Sequence, residues 1–219
     1  MINISYKGED YMERFVIAIT RRAGSGGTTI GKMLADDFSI DLYDKKLLRL
    51  ASEDSGINEA LFENADERIK NSLLYRVSKK VYKGELIPPE SDNFASDNNL
   101  FNYQAKVLRE LAERESYVVI GRCADYVLKD KQNVFKIFLY ASDDFCIEHE
   151  IDYLCTEKKE AMKYIKKWDT YRSEYYTYHT GNKWEDMKNY DLCIDTGKLG
   201  FEKTVGCIKE YMKLRMGTL

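Results

Sequence analysis

Proline is nearly missing from this 219-residue chain, and its two copies, Pro88 and Pro89, stand side by side. Histidine is as scarce, with only His149 and His179, which argues against a histidine-based metal site. No apolar run approaches the ~20 residues that cross a bilayer, so no membrane partner is expected. The N-terminal stretch MINISYKGEDYMERF has no apolar signal region, and the expectation is a cytoplasmic protein. A net charge of −3 provides no broad attraction for a nucleic acid polymer or a membrane surface. The five cysteines (Cys123, Cys146, Cys155, Cys193 and Cys207) are odd in number and lack close pairing. They read as reduced, mostly buried thiols. The length fits one large α/β domain over 1–219.

The stretch that organises the rest runs from Phe15 to Ala35. Phe15 to Thr20 is apolar or β-favouring without Gly or Pro, as a strand buried on both faces requires. Small residues follow at Ala23, Gly24, Ser25, Gly26 and Gly27, and Ile30, Met33 and Leu34 then recur at helical spacing. Strand, glycine-rich turn and helix make an anion site, because converging N–H groups meet the positive end of the helix dipole. A ligand-free tight turn is the plain alternative, but the turn holds more glycine than it needs. The run is nearly the P-loop G-x-x-x-x-G-K-[ST]. Taking Thr28 as the metal-facing hydroxyl puts Gly27 where the lysine belongs and Arg21 where the first glycine belongs. Hydroxyls at Thr28 and Thr29 are expected to cap the helix and to ligate Mg²⁺.

Further along, Ile40 to Tyr43 suggests a very short strand ending at Asp44, and a helix through Leu47, Leu48 and Ala51 stops at Gly56. Asn58 to Tyr82 is helical in pattern and heavily charged. Gly84 to Asn99, with both prolines and many Asp, Asn and Ser residues, reads as a long, poorly anchored loop. An amphipathic helix follows from Leu100 to Glu115. Tyr117 to Arg122, Val134 to Ala141 and Asp191 to Thr196 are the later strands. Helices are expected from Ser142, from a Thr156 cap to Gly181, and from Phe201 to Leu214. Apolar strands alternating with helices predict one parallel sheet.

Several blocks resemble nucleoside monophosphate kinases of the P-loop superfamily. IAITRRAGSGGTTIGKMLA, VVIGRCAD, FKIFLYASDD and DLCIDTGKLGFEKTV are similar to successive blocks of the cytidylate kinases. ITRRAGSGG, Tyr43-Asp44-Lys45 and YYTYHTGNKW from Tyr175 to Trp184 resemble a divergent, cytidylate kinase-like subgroup. The resemblance spans nearly the whole chain. It implies a P-loop kinase-like parallel sheet flanked by helices, with a helical acceptor arm at about 57–115 and a lid at about 143–182. It also implies ATP- and Mg²⁺-dependent phosphoryl transfer to a nucleoside monophosphate such as CMP.

On that resemblance, Gly24, Ser25, Gly26, Gly27, Thr28 and Thr29 bind nucleotide, and Thr28 faces the metal. Arg122 matches the arginine of Gly-Arg-Asp at a strand end, and Asp125 stands two residues later than the family's Asp. Asp44 and Lys45 face the acceptor. Asp169 and Arg172 match the lid's Asp-x-x-Arg, against the alternative of an i,i+3 surface ion pair. The lid's start, FCIEHEIDY, carries no arginine. Arg21 is the candidate cation in place of the lysine, its alternative being a loop-ordering ion pair. The YYTYHT aromatics form a packed corner or a base-stacking surface. A non-catalytic nucleotide- or phosphate-binding protein, or a kinase of another small acceptor, competes with the nucleotide kinase. The oligomeric state is left open.

Overall fold

A computed structural model describes residues 14–44, 46–61, 85–87, 89, 91 and 95–217. Along the chain, β1 (Val16–Arg21) leads into α1 (Gly27–Phe38), β2 (Asp41–Tyr43) and α2 (Lys46–Ser55). Next come α3 (Asp97–Arg114), β3 (Tyr117–Ile120), the single turn α4 (Ala124–Val127) and β4 (Val134–Tyr140). The lid region holds α5 (Asp143–Leu154) and α6 (Lys158–Thr180). The chain then forms β5 (Leu192–Asp195), the short α7 (Thr196–Leu199) and α8 (Phe201–Met216).

The five strands are all parallel, in the order β2-β3-β1-β4-β5. β1 is central, and its two faces serve two cores. Ile17 and Ile19 pack with Ile30 and Leu34 of α1 and with Val205 and Ile208 of α8. Val16 and Ala18 face the core that includes α2, α3 and α6. Burial on both sides explains why the strand reads as an unbroken apolar run. Because all five strands point the same way, their C-terminal ends gather on one rim, where open α/β sheets bind ligands.

Local chemistry shifts several expected boundaries. β1 extends through Arg21, one residue past the expected Thr20, and Arg22 N–H donates to Leu139 O at 3.0 Å. The first turn of α1 is not capped by a threonine. Its N-cap is Gly26, in a left-handed conformation with no side-chain cap, and Thr28 and Thr29 lie exposed inside that turn. α3 starts at Asp97 rather than Leu100, because Ser96 Oγ accepts the Asn99 N–H. The segment read as unanchored has an anchor here: Asn99 Oδ1 accepts from Ile87 N–H at 2.8 Å, and Asn99 Nδ2 donates to Ile87 O at 3.2 Å. Residues 84, 88, 90 and 92–94 of the segment from Gly84 to Asn99, most of the expected helix from Asn58 to Tyr82, and Lys45 lie outside the described residues.

Thr156 does not cap the second lid helix. Cys155 closes α5 in a left-handed conformation, and Glu157 becomes the N-cap of α6. The cysteines are also less buried than expected. All five are free; Cys123 and Cys146 are buried, but Cys155, Cys193 and Cys207 are exposed. Cys193 sits on the edge strand β5, and Cys207 is on an outward face of α8. No helix among the described residues is long and apolar enough to cross a membrane.

Candidate active site

The loop between β1 and α1 is shaped by what presses on it. Gly24 and Gly26 have φ of 77° and 74°, a region that only glycine enters without strain. A Cβ at Gly26 would lie 2.3 Å from the Phe201 ring, and one at Gly24 would lie 2.5 Å from Cys146 O. Ser25 is fully buried; its hydroxyl donates to Arg22 O at 2.8 Å, and its carbonyl accepts from Thr196 Oγ1 at 2.9 Å. Ser25 therefore holds the loop from behind. Gly24, Gly26, Gly27, Thr28 and Thr29 line the cleft in front, which measures about 540 Å³. With no acidic side chain in the first turn and no cap, the N-terminal end of α1 presents its positive pole to that cleft.

Arg21 and Arg22 leave the strand end in different directions. Arg22 donates from Nε to Asp169 Oδ2 at 3.1 Å and from Nη2 to Asp143 Oδ1 at 2.9 Å. Asp169 Oδ1 also accepts the Ala23 N–H at 2.7 Å and lies 3.6 Å from Arg172 Nη1. Asp169 thus clamps the loop to α6, and the expected i,i+3 partner Arg172 joins that clamp. Arg21 behaves otherwise. Its stem lies against Gly27, where a Cβ would come within 2.5 Å of Arg21 Cγ. Its Nη1 reaches Gly121 at the end of β3, where a Cβ would again come within 2.5 Å. The Arg21 side chain so fills the space that a side chain at 27 would enter. Among the described residues no carboxylate lies within ion-pair distance of its guanidinium.

Past β3 the chain turns sharply, with Gly121, Arg122 and Cys123 at φ of 73°, 60° and 52°. Left-handed backbone at two non-glycine residues costs about 1 kcal/mol or more each. The turn sets Arg122 on the cleft wall beside Arg21, Arg172 and Asp44. Burial, together with the charges of Arg172 and Arg122, pulls the Arg21 guanidinium down to about 9, while Asp44 opposes the shift. Arg172 is lowered too, mainly by burial. Like charges crowded in this way are relieved by an anion.

A second, smaller cavity of about 110 Å³ opens from the same wall. Arg21, Asp44, Arg122, Trp168 and Arg172 line both spaces, so the site has two lobes sharing one arginine-rich partition. The smaller lobe is walled by Tyr171, Tyr175, Tyr176 and Trp184. The YYTYHT aromatics accordingly both pack and line: Tyr175 and Tyr176 are buried wall residues, and His179 stacks on Phe101 with 3.9 Å between centroids. Asp125 falls elsewhere. It is 2% exposed, lines neither lobe, and accepts from Tyr176 OH at 2.5 Å. Burial raises its carboxyl to about 6. It props the aromatic wall from below.

Sequence patterns did not single out the residues that α5 and α6 add to the larger lobe, namely His149, Glu150, Tyr153, Tyr164 and Trp168. The one signal available was the missing lid arginine in FCIEHEIDY. No cluster of three or more His, Cys, Asp or Glu residues with metal-holding geometry occurs among the described residues. Thr28, exposed on the cleft, remains a fitting hydroxyl for a nucleotide-borne Mg²⁺.

A sequence model of the cytidylate kinase-like family matches residues 16–198, from β1 through α7. The chain belongs to that family. It is 32% identical over 141 residues to the cytidylate kinase of Thermosipho melanesiensis, covering 58% of this chain and 64% of that protein. The match thus spans just under two thirds of the curated relative. Among solved structures, an uncharacterized protein from Eubacterium ventriosum superposes with a TM-score of 0.67 at 27% identity, covering 91% of this chain and 99% of that one. Shikimate kinase from Bacteroides thetaiotaomicron gives a TM-score of 0.47 at 16% identity, covering 91% of this chain and 98% of that one. The cytidylate kinase-like assignment and the parallel sheet agree, since the matched region contains all five strands.

Proposed function

We propose that this family member transfers a phosphoryl group from Mg²⁺-ATP to a nucleoside monophosphate, with a CMP-like acceptor. The observation that carries the reading is the shared partition: Arg21, Arg122 and Arg172 stand between a glycine cradle and an aromatic-walled lobe. Phosphoryl transfer needs little covalent help from a protein, and positioning with neutralisation of charge is what a kinase supplies. The cradle from Gly24 to Thr29 takes the donor phosphates, and Thr28 faces the metal. Bound Mg²⁺ would offset charge on the donor's terminal phosphates. Arg122, Arg172 and Asp44 face the acceptor.

Arg21 takes over from the absent lysine. A cation about 4 Å from a phosphate oxygen contributes on the order of 4 kcal/mol at an effective dielectric near 20, before desolvation is subtracted. Glycine at 27 supplies none of this, and it leaves room for the Arg21 stem. Arg21 is thereby placed to reach a donor phosphate from β1 rather than from α1. Asp169 acts through the loop it clamps and is a positioning residue.

The competing reading is a phosphate-binding protein without turnover, favoured by Gly27 and by the arginine-free helix α5. One assay separates them. Protein, Mg²⁺ and ATP are incubated with a panel of nucleoside monophosphates and ADP is followed. ADP formed only with a cytidine or related monophosphate supports the kinase. Nucleotide binding without ADP from any acceptor overturns it in favour of the binder.

A further inference from the structure

The left-handed turn after β3 sends two side chains to two sides of the smaller lobe. Arg122 stands in the partition, and Asp125, three residues on, is buried behind the aromatic wall. Asp125 Oδ2 accepts from Tyr176 OH at 2.5 Å, and Oδ1 is buried with no hydrogen-bond partner. The adjoining cation, Lys136 on β4, is engaged with Asp191 at 3.5 Å instead. Tyr190, just before β5, donates its hydroxyl to Trp184 O at 2.6 Å. Two residues of the wall are thus tied from behind, Tyr176 through Asp125 and Trp184 through Tyr190. A half-satisfied buried carboxyl is a cost to the fold. A titratable group kept at such a cost against a cleft wall is a candidate for work in that cleft.

A carboxylate accepts a charge-assisted hydrogen bond, roughly twice as strong as a neutral one, and so fixes the ring that carries the hydroxyl. We infer that Asp125 is a positioning residue for the acceptor: its carboxylate holds Tyr176 in the wall of the smaller lobe without itself touching the acceptor. This deepens the acceptor reading above and rests on it. The titratable and charged groups facing the carboxyl are Tyr176 on α6, Tyr190 before β5, Cys123 in the turn and Lys136 on β4. Burial pushes both phenols above their ordinary range, so they stay neutral, and it raises the carboxyl to about 6. The folded protein therefore favours the neutral carboxyl. Stability from this group is fully present in acid and is lost as pH rises through about 6. The hold on Tyr176 changes in the opposite sense, so acidification weakens acceptor binding while the free fold gains.

The test is titration calorimetry of CMP and, separately, of Mg²⁺-AMPPNP into wild type, Asp125→Asn, Tyr176→Phe and the double variant. Each is measured at pH 5.5 and pH 8, together with the melting temperature of the free protein. Asp125→Asn keeps a neutral acceptor for the Tyr176 hydroxyl and stands for the protonated carboxyl. At pH 8 each single variant should bind CMP at least threefold more weakly than wild type. The double variant should bind no more weakly than the weaker single, because both changes remove one link. AMPPNP affinity should stay within twofold throughout, and free Asp125→Asn should melt no lower than wild type. At pH 5.5 the gap in CMP affinity between wild type and Asp125→Asn should narrow by about half. The titration of CMP itself is common to all the proteins and cancels in their differences. Wild-type CMP affinity in Asp125→Asn, or losses that multiply in the double variant, would overturn the inference. So would parallel losses of CMP affinity, AMPPNP affinity and melting temperature, the mark of a merely structural residue. If Tyr176→Phe fails to fold, the pH comparison decides, and a gap as wide at pH 5.5 as at pH 8 overturns the inference. AMPPNP binding with no CMP binding by any protein overturns the acceptor reading and the inference with it, and leaves the donor cradle standing.

Discussion

Arg21 and Arg22 leave the same strand end toward two differently built regions, the partition of the cleft and the root of the lid. At the lid root, Arg22 meets Asp169 and Asp143, and Asp169 also takes a backbone N–H. Positive charge there is matched, and the result is a fixed loop. In the partition, Arg21 meets Arg122 and Arg172, with Asp44 as the nearby opposing charge. Among the described residues positive charge there outnumbers negative, an arrangement that suits an anion. Two adjacent residues of one type thus do unlike work, and the neighbours they meet decide which does what. The unbalanced region adds little to the stability of the free protein and is the one expected to gain most from a ligand.

The largest effect should come from breaking the balanced region. Asp169→Ala leaves the Arg22 guanidinium and the Ala23 N–H without their main acceptor. Losing one partner of a mostly buried charge pair costs about 3 kcal/mol. Denaturant unfolding should show that loss, and nucleotide binding should fall with it because the loop is released. A loss below about 1 kcal/mol would mean that Asp169 does not anchor the loop.

Arg21→Ala should give the opposite pattern. Without ligand, removing one of three crowded cations should leave the melting temperature unchanged or slightly higher. ATP affinity should fall tenfold or more, which is about 1.4 kcal/mol. Equal ATP affinity in calorimetry, or a clear drop in apo stability, would make Arg21 a structural residue like its neighbour.

The contact between Arg21 and Gly27 allows a sharper test of the same region. Gly27→Lys alone should bind ATP poorly, because the new stem enters the space held by Arg21 Cβ and Cγ. Combined with Arg21→Ala, the same lysine gains that space and sits at the ordinary P-loop position. The double variant should recover at least threefold of the lost affinity, about 0.7 kcal/mol. Binding no better than that of Arg21→Ala would show that the two positions do not exchange roles.

How far these regions were legible in the sequence follows from how local their causes are. β1, β3 and β4 are buried on both faces, so their apolar runs announced them, and glycine-rich spacing announced the cradle. The relation between Arg21 and Gly27 joins residues six apart across a loop whose path two positive-φ glycines set, and no periodicity encodes it. Motif offset alone put Asp125 near the acceptor. The left-handed Gly121-Arg122-Cys123 turn sends it inward to Tyr176. The seat of α5 on the loop went unread because it presses Cys146 against Gly24, 122 positions away in the chain. The exposed cysteines were misjudged because composition says nothing about which face of an edge strand or outer helix a residue takes.

The smallest expected effect separates the two carboxylates that Arg22 meets. Asp143 is close, at 2.9 Å, but its side chain is 78% exposed, whereas that of Asp169 is 15% exposed. Water and salt screen the outer pair, and holding two side chains in register offsets much of its attraction, so such pairs contribute about 0–1 kcal/mol. Asp143 also sits in the first turn of α5, where a negative charge meets the helix dipole for another few tenths of a kcal/mol. Asp143→Ala should therefore cost about 0.5 kcal/mol in denaturant unfolding and leave ATP affinity within twofold of wild type. The small loss should shrink further in 0.5 M salt, as screening removes the outer pair in wild type as well. A loss approaching that of Asp169→Ala, or one insensitive to salt, would show that Arg22 is fixed from outside as much as from within. The lid root would then depend on an exposed pair and lose the contrast drawn between it and the partition.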